Sequence, residues 1–242
     1  MNLVLVAYRW NQQKSQALTE WINHLPEVGR VVVVNNHDEV SFEDPKYSVV
    51  SGCNRFAEFS GYQEGLEYLN DIQTPCLILN DTALAHHSQS LWCSQVAQWN
   101  FEGSESILGD PRHEPIHTEH GLLSYYASWI FWLPTPKSIE VFVSALSEVT
   151  DKWDEAYSKS RAYRTFINRY LKGSLFHGWK NAGLRDQKAT DLKIRCIWAE
   201  HRLSLILSTQ GNRIATLSTN QAPILRAIDR FYSFRRRVQN FM

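Results

Sequence analysis

The sequence predicts an α/β protein built on a doubly wound, mixed sheet flanked by helices, with a helical, basic C-terminal part. Two observations carry this expectation. The apolar runs Leu3–Ala7, Val31–Val34 and Cys76–Leu79 are continuous rather than alternating, the pattern of strands covered on both faces. The segments between them carry apolar residues at helical spacing, so strands and helices alternate along the first eighty residues.

Taken in order, Leu3–Tyr8 reads as a buried strand, and Ala17, Leu18, Trp21, Ile22 and Leu25 then fall on one helical face behind a possible cap at Ser15. Val31–Val34 is the second strand and Tyr47–Val50 a short third. Ser60-Gly61-Tyr62-Gln63 has the form of a capping box opening a helix whose apolar side carries Tyr62, Leu66 and Leu69. Pro75 precedes the strand Cys76–Leu79. In such sheets ligands sit beyond the carboxyl ends of the strands, which directs attention to Ala7, Tyr8 and Arg9, to Asn35 and Asn36, and to Asn80-Asp81-Thr82.

Composition narrows the class. The 242 residues are 43% hydrophobic, and at this length roughly 70–75% of the unfolded chain's surface is buried on folding. The four Cys (Cys53, Cys76, Cys93, Cys196) include no Cys-x-x-Cys pair, which fits a reducing compartment better than a disulfide framework or a structural zinc site. The zero net charge conceals a division: residues 1–120 hold 6 Lys+Arg and 16 Asp+Glu, and residues 121–242 hold 19 and 9. An acidic half suits a metal or sugar site, and a basic half suits phosphates, nucleic acid or an anionic membrane; the division equally suits two solvated faces that differ in sign.

No Gly-x-Gly-x-x-Gly follows the first strand and no Walker-type Gly-Lys-Ser/Thr occurs, which argues against a dinucleotide oxidoreductase or a P-loop NTPase. No helix-turn-helix, ribonucleoprotein or zinc-finger signature is present, so a nucleic-acid partner is not expected. Leu3–Ala7 is too short for a signal h-region, and Gly121–Leu133 is shorter than a membrane span. A cytoplasmic protein is expected. Its basic aromatic segment 226–237 either touches the inner membrane's cytoplasmic face peripherally or packs as an ordinary C-terminal helix. Asn80-Asp81-Thr82 offers a carboxylate between short polar residues; it suits a hard cation with bound diphosphate and equally a helix cap or turn.

Taken together, Val4–Tyr8, Val31–Asn36, Asn54–Leu66 and Ile78–Thr82 resemble the nucleotide-sugar half of a GT-A-type glycosyltransferase, nearest to family-two-like enzymes of bacterial surface-polysaccharide (O-antigen or rhamnan-type, lipopolysaccharide) synthesis. Further on, Ser124-Tyr125-Tyr126 and the apolar run to Leu133 are similar to the family's Ser-Tyr-Phe strand beneath the acceptor, with a helix containing Phe142 after it. Glu200-His201-Arg202-Leu203-Ser204 resembles the family's acidic helix start, which faces the acceptor and supplies the general base. Two departures stand out: Asn35-Asn36 lacks the family's acid at the second strand end, and the third strand end offers one carboxylate.

The resemblance implies a nucleotide-binding half over residues 1–110 and an acceptor half with C-terminal helices over 111–242, in one GT-A-like domain. It implies transfer of a sugar from a nucleotide-diphosphate donor to a saccharide or lipid-linked saccharide acceptor. Ala7, Tyr8, Arg9, Asn36, Asn54, Ser60, Gln63, Asn80 and Asp81 would border the donor, with Asp81 holding Mg²⁺ or Mn²⁺. If no metal serves, Arg and Lys from the basic half would meet the diphosphate. His117, His120, Ser124 and Tyr125 would line the acceptor cleft, and Glu200 and His201 compete for the role of base. Trp129, Phe131, Trp132, Trp153, Tyr157 and Trp179 are available as a sugar platform or as core. Two rival readings stand beside it: a catalytically inert GT-A-like partner protein and, less favoured, a nucleic-acid-binding protein that uses the basic half and its aromatics.

Overall fold

The structure is a computed structural model that describes residues 1–37, 42–87, 89–98, 107–118, 121–151, 187–210 and 215–216, with isolated positions 165, 171 and 227. Its centre is a seven-stranded sheet. The strands are β1 (Asn2–Ala7), β2 (Val31–Asn35), β3 (Ser48–Ser51), β5 (Cys76–Asn80), β6 (Leu108–Thr118), β7 (Gly121–Leu133) and β8 (Ala215–Thr216), in the order β3-β2-β1-β5-β7-β6-β8. A short β4 (Arg55–Ala57) stands outside that order. Strands β1, β2, β3 and β5 are parallel, so their carboxyl ends share one edge, while β7 runs antiparallel to β5 and to β6. The expected doubly wound, mixed α/β sheet is present. The 110/111 division falls inside β6.

Strand alternation divides the core. Val4, Val6, Val32, Val34 and Ile78 face one layer with Phe59, Tyr62, Phe131, Phe142 and Trp198. That layer contains α2 (Glu58–Leu69), α5 (Pro136–Asp151) and the helix Gln187–Thr209, named α6 here. Leu3, Leu5, Val33, Leu77 and Leu79 face the other layer, with Leu18, Trp21 and Trp92 from α1 (Gln12–Asn23) and α4 (Gln89–Gln98). All six residues of β1 are buried, and each fully buried Val or Leu contributes about 1.5–3 kcal/mol. Gly65 lets α2 approach this strand: a Cβ there would lie 2.4 Å from Val4 Cγ1.

Several local expectations are corrected. Asn11, not Ser15, caps α1: its side-chain oxygen accepts from the Lys14 amide at 3.0 Å, and Ser15 is buried inside the first turn. Ser60 does not cap α2, which begins two residues earlier after Ala57, a non-glycine residue at φ 51°. The Ser60 hydroxyl accepts from the Phe56 amide and donates to the Ala57 carbonyl, so it braces that turn, and Gln63 pairs with Glu67 rather than reaching back. Glu200 and His201 are not at a helix start. They lie well inside the 23-residue α6, which no Gly or Pro interrupts.

Candidate functional site

The carboxyl edge of β1, β2 and β5 carries the polar groups that the apolar strands cannot hold within the sheet. Chain connections there satisfy one another: the Asn36 amide donates to the Ala7 carbonyl at 2.8 Å, and Asn35 Oδ1 accepts from the Trp10 amide at 3.0 Å. Asn36 is buried; its Nδ2 donates to the Ala57 carbonyl at 2.8 Å, which ties β2 to the start of α2. At the end of β1, Tyr8 is exposed and Arg9 takes a left-handed backbone (φ 61°). Arg9 Nε donates to His37 Nε2 at 2.9 Å, and the Tyr8 ring meets His37 edge-on at 5.0 Å. Non-glycine residues held in this region of backbone space gather at functional sites.

At the end of β5, Asn80 and Asp81 divide two roles that the sequence left as alternatives. Asn80 Oδ1 accepts from the Thr82 amide at 3.0 Å and caps the short α3 (Asp81–His86). Asp81 turns toward β1, where Oδ2 accepts from the Tyr8 amide at 3.0 Å and from Lys14 Nζ at 2.6 Å. Lys14 Nζ also donates to the Tyr8 carbonyl. Asp81, Tyr8 and Asn36 therefore border one edge, on the side expected of them.

An acidic wall continues this edge. Glu58, the first residue of α2, accepts from Ser128 Oγ at 2.5 Å and from Asn80 Nδ2 at 3.4 Å, both through Oε1. Oε2 of Glu58 accepts from Cys196 Sγ at 3.4 Å. The Ser128 amide donates to Glu200 Oε1 at 2.7 Å, and the Tyr62 hydroxyl donates to the Ser128 carbonyl at 2.6 Å. Burial raises the Tyr62 hydroxyl pKa well above its ordinary value, with Glu58, Cys196, Asp81 and Glu200 adding to the rise. The Cys196 thiol is likewise raised by burial and by Glu58.

His201 is a buried residue of α6. It is 5% exposed, its ring lies 4.8 Å from that of Tyr125, and burial lowers its pKa to about 3, so the imidazole is neutral and weakly basic. Of the two rivals for a proton acceptor, this burial leaves Glu200 the better suited. Trp129, Phe131 and Trp132 are core residues, which removes them as a sugar platform. Asn54 occupies a left-handed turn before β4, Gln63 pairs with Glu67, and Ser60 donates to the same Ala57 carbonyl that Asn36 reaches. His117 and Ser124 lie on β6 and β7, but their side chains are outside the described residues, as are His120, Trp153, Tyr157, Trp179 and all of segment 226–237 except residue 227. Among the described residues, no helix is long and apolar enough to cross a membrane.

The implied Mg²⁺ or Mn²⁺ would have to be held by these donors. A hard cation needs several oxygen ligands, yet Asp81 Oδ2 is engaged by an ammonium and an amide. No group of three or more His, Cys, Asp or Glu among the described residues is arranged to hold a metal ion. The donor set does not fit a divalent ion.

Lys14, Glu58 and Ser128 were missed as site residues. Lys14 gives the weak signal of a cation in the first turn after a strand end, and Glu58 lies inside the segment that carries the resemblance. Ser128 gives none, because its importance comes from a ladder irregularity.

No protein-family model matches the chain, and no curated protein matches it. Among solved structures it is similar to a 4-diphosphocytidyl-2C-methyl-D-erythritol synthase, with 11% identity and TM-score 0.45 over 91% of this chain and 90% of that one. It is also similar to the 2-C-methyl-D-erythritol 4-phosphate cytidylyltransferase of Francisella tularensis, with 12% identity and TM-score 0.37 over 69% of this chain and 87% of that one. Both are likenesses of chain path, at identities too low for a family assignment.

Proposed function

We propose that the protein is a transferase that moves a sugar from a nucleotide-diphosphate donor to a saccharide or lipid-linked saccharide acceptor, the activity implied by the resemblance to family-two-like GT-A enzymes of surface-polysaccharide synthesis. One observation carries the reading. A hydrogen-bonded path, Asn80–Glu58–Ser128–Glu200, joins the donor-side strand end to a carboxylate on a distant helix.

Sugar transfer needs such a juxtaposition. The acceptor hydroxyl loses its proton to a carboxylate as its oxygen bonds to the anomeric carbon. The bond from that carbon to the diphosphate oxygen breaks, and the electron pair leaves with the diphosphate, whose charge must be met by fixed donors. Glu200, oriented by the Ser128 amide, is suited to accept the proton, and the Tyr8–Arg9 turn, Asn36 and the Lys14–Asp81 pair are suited to the donor side. Asn36 supplies a buried amide at the second strand end, where the family carries an acid.

The test is a thermal-shift panel of UDP-, GDP-, CMP- and dTDP-sugars, followed by product analysis with saccharide acceptors. Stabilisation by one nucleotide class and sugar transfer from it are expected. Stabilisation without transfer to any acceptor would favour the inert partner reading. Absence of both would overturn the proposal.

A further inference from the structure

We propose that the donor diphosphate is met directly by Lys14 and Arg9, from the acidic half of the chain, in place of a divalent cation. The inference rests on the nucleotide-sugar reading above and names how that site takes its ligand's charge.

Lys14 is already fixed at the strand edge. Its backbone is held by the Asn11 cap, and its ammonium donates to the Tyr8 carbonyl and to Asp81. An ammonium carries three N–H donors, so one is left for a ligand once the protein has taken two. The side chain is 26% exposed, enough for an anion to reach it while its position is set by the protein. Arg9 follows Tyr8 in the turn that ends β1, is exposed, and has its Nε engaged by His37. The rest of its guanidinium is a planar fork, the geometry that pairs two phosphate oxygens at once. A diphosphate lying across the end of β1 would meet both cations beside the exposed Tyr8.

The charges favour this arrangement over a metal. Asp81 neutralises one of the two cations, so the pair together with Asp81 carries one net positive charge toward an anion. Asp81 then positions Lys14 and does not coordinate, and its negative charge opposes the diphosphate. Removing that charge should strengthen diphosphate binding, whereas at a metal site the same change would weaken it.

Binding of UDP, GDP, CDP, dTDP and inorganic pyrophosphate is measured calorimetrically in EDTA and again in Mn²⁺. At least one nucleoside diphosphate is expected to bind in EDTA, with less than about a threefold gain from Mn²⁺, because the site's charge comes from side chains. Arg9→Ala, an exposed change that leaves the core untouched, and Lys14→Ala should each weaken binding by about tenfold or more, with Lys14→Arg retaining part of the affinity. Asp81→Asn should bind as tightly as the parent or more tightly in EDTA.

Binding that requires Mn²⁺ and is lost in Asp81→Asn would overturn the inference and leave the nucleotide-sugar reading standing. Binding in EDTA that neither Arg9→Ala nor Lys14→Ala weakens would also overturn it. If no nucleotide and no pyrophosphate binds in either buffer, both readings fall.

Discussion

The Ser128 amide donates to Glu200 Oε1 at 2.7 Å across 72 residues of chain, and a break in the β6–β7 ladder allows it. Gly109 pairs with Phe131, but the next residue of β6, Asp110, pairs with Ala127, so Ser128–Ile130 bulge out of that ladder. The amide, carbonyl and hydroxyl of Ser128 are thereby turned to Glu200, Tyr62 and Glu58. Bulges of this kind re-aim groups beside active sites.

Glu200→Gln keeps the shape and the oxygen that accepts from Ser128 while removing the proton acceptor. Turnover should fall about 100-fold or more with donor affinity unchanged, as measured by steady-state kinetics beside donor calorimetry. An unchanged turnover would remove Glu200 from the mechanism.

Ser128→Ala takes the hydroxyl donor from the half-buried Glu58 carboxylate and should lower stability by about 1–3 kcal/mol. Combined with Glu58→Gln in a double-mutant cycle of urea unfolding, the pair should show a coupling of about 0.5–3 kcal/mol. Additive effects would mean that the 2.5 Å contact contributes nothing of its own.

Buried His201 sets a pH dependence of stability. Its folded-state pKa of about 3 lies below the ordinary value of 6.5, so between them the unfolded chain binds more protons than the folded one. Its contribution is fully present above 6.5 and is lost as pH falls toward 3; by pH 5 the loss is about 2 kcal/mol. Denaturant unfolding at pH 7 and pH 5 should show this fall, and His201→Gln should remove most of it. A fall of equal size in the variant would assign the dependence to carboxylates instead.

The thiols should separate by burial. Cys53 is exposed, although partial burial and Glu64 raise its pKa. Burial pushes Cys76 and Cys93 up to about 12. A disulfide reagent near pH 8.5 should label Cys53 alone in the folded protein and all four thiols in guanidinium. Labelling of native Cys196 would show that the wall around Glu58 opens to solvent.

The sequence by itself determined the sheet and the edge to inspect. Continuous apolar runs such as Leu3–Ala7 and Val31–Val34 have no polar face to turn to water, so they are covered on both sides, and polar groups are left for the strand ends. Tyr8, Asn36 and Asp81 were legible for that reason. Helix starts were less so: Asn11 and Ser15 are both good caps by type, and burial of Ser15 decided between them. Only the tertiary structure decided the partners. Asp81 meets Lys14 across 67 residues, Glu58 meets Ser128 across 70, and His201 is drawn into the layer beneath β7. Propensity and periodicity act over one or two turns of chain, whereas pairings at such separations arise when whole helices pack on a twisted sheet and a ladder irregularity turns a backbone amide outward.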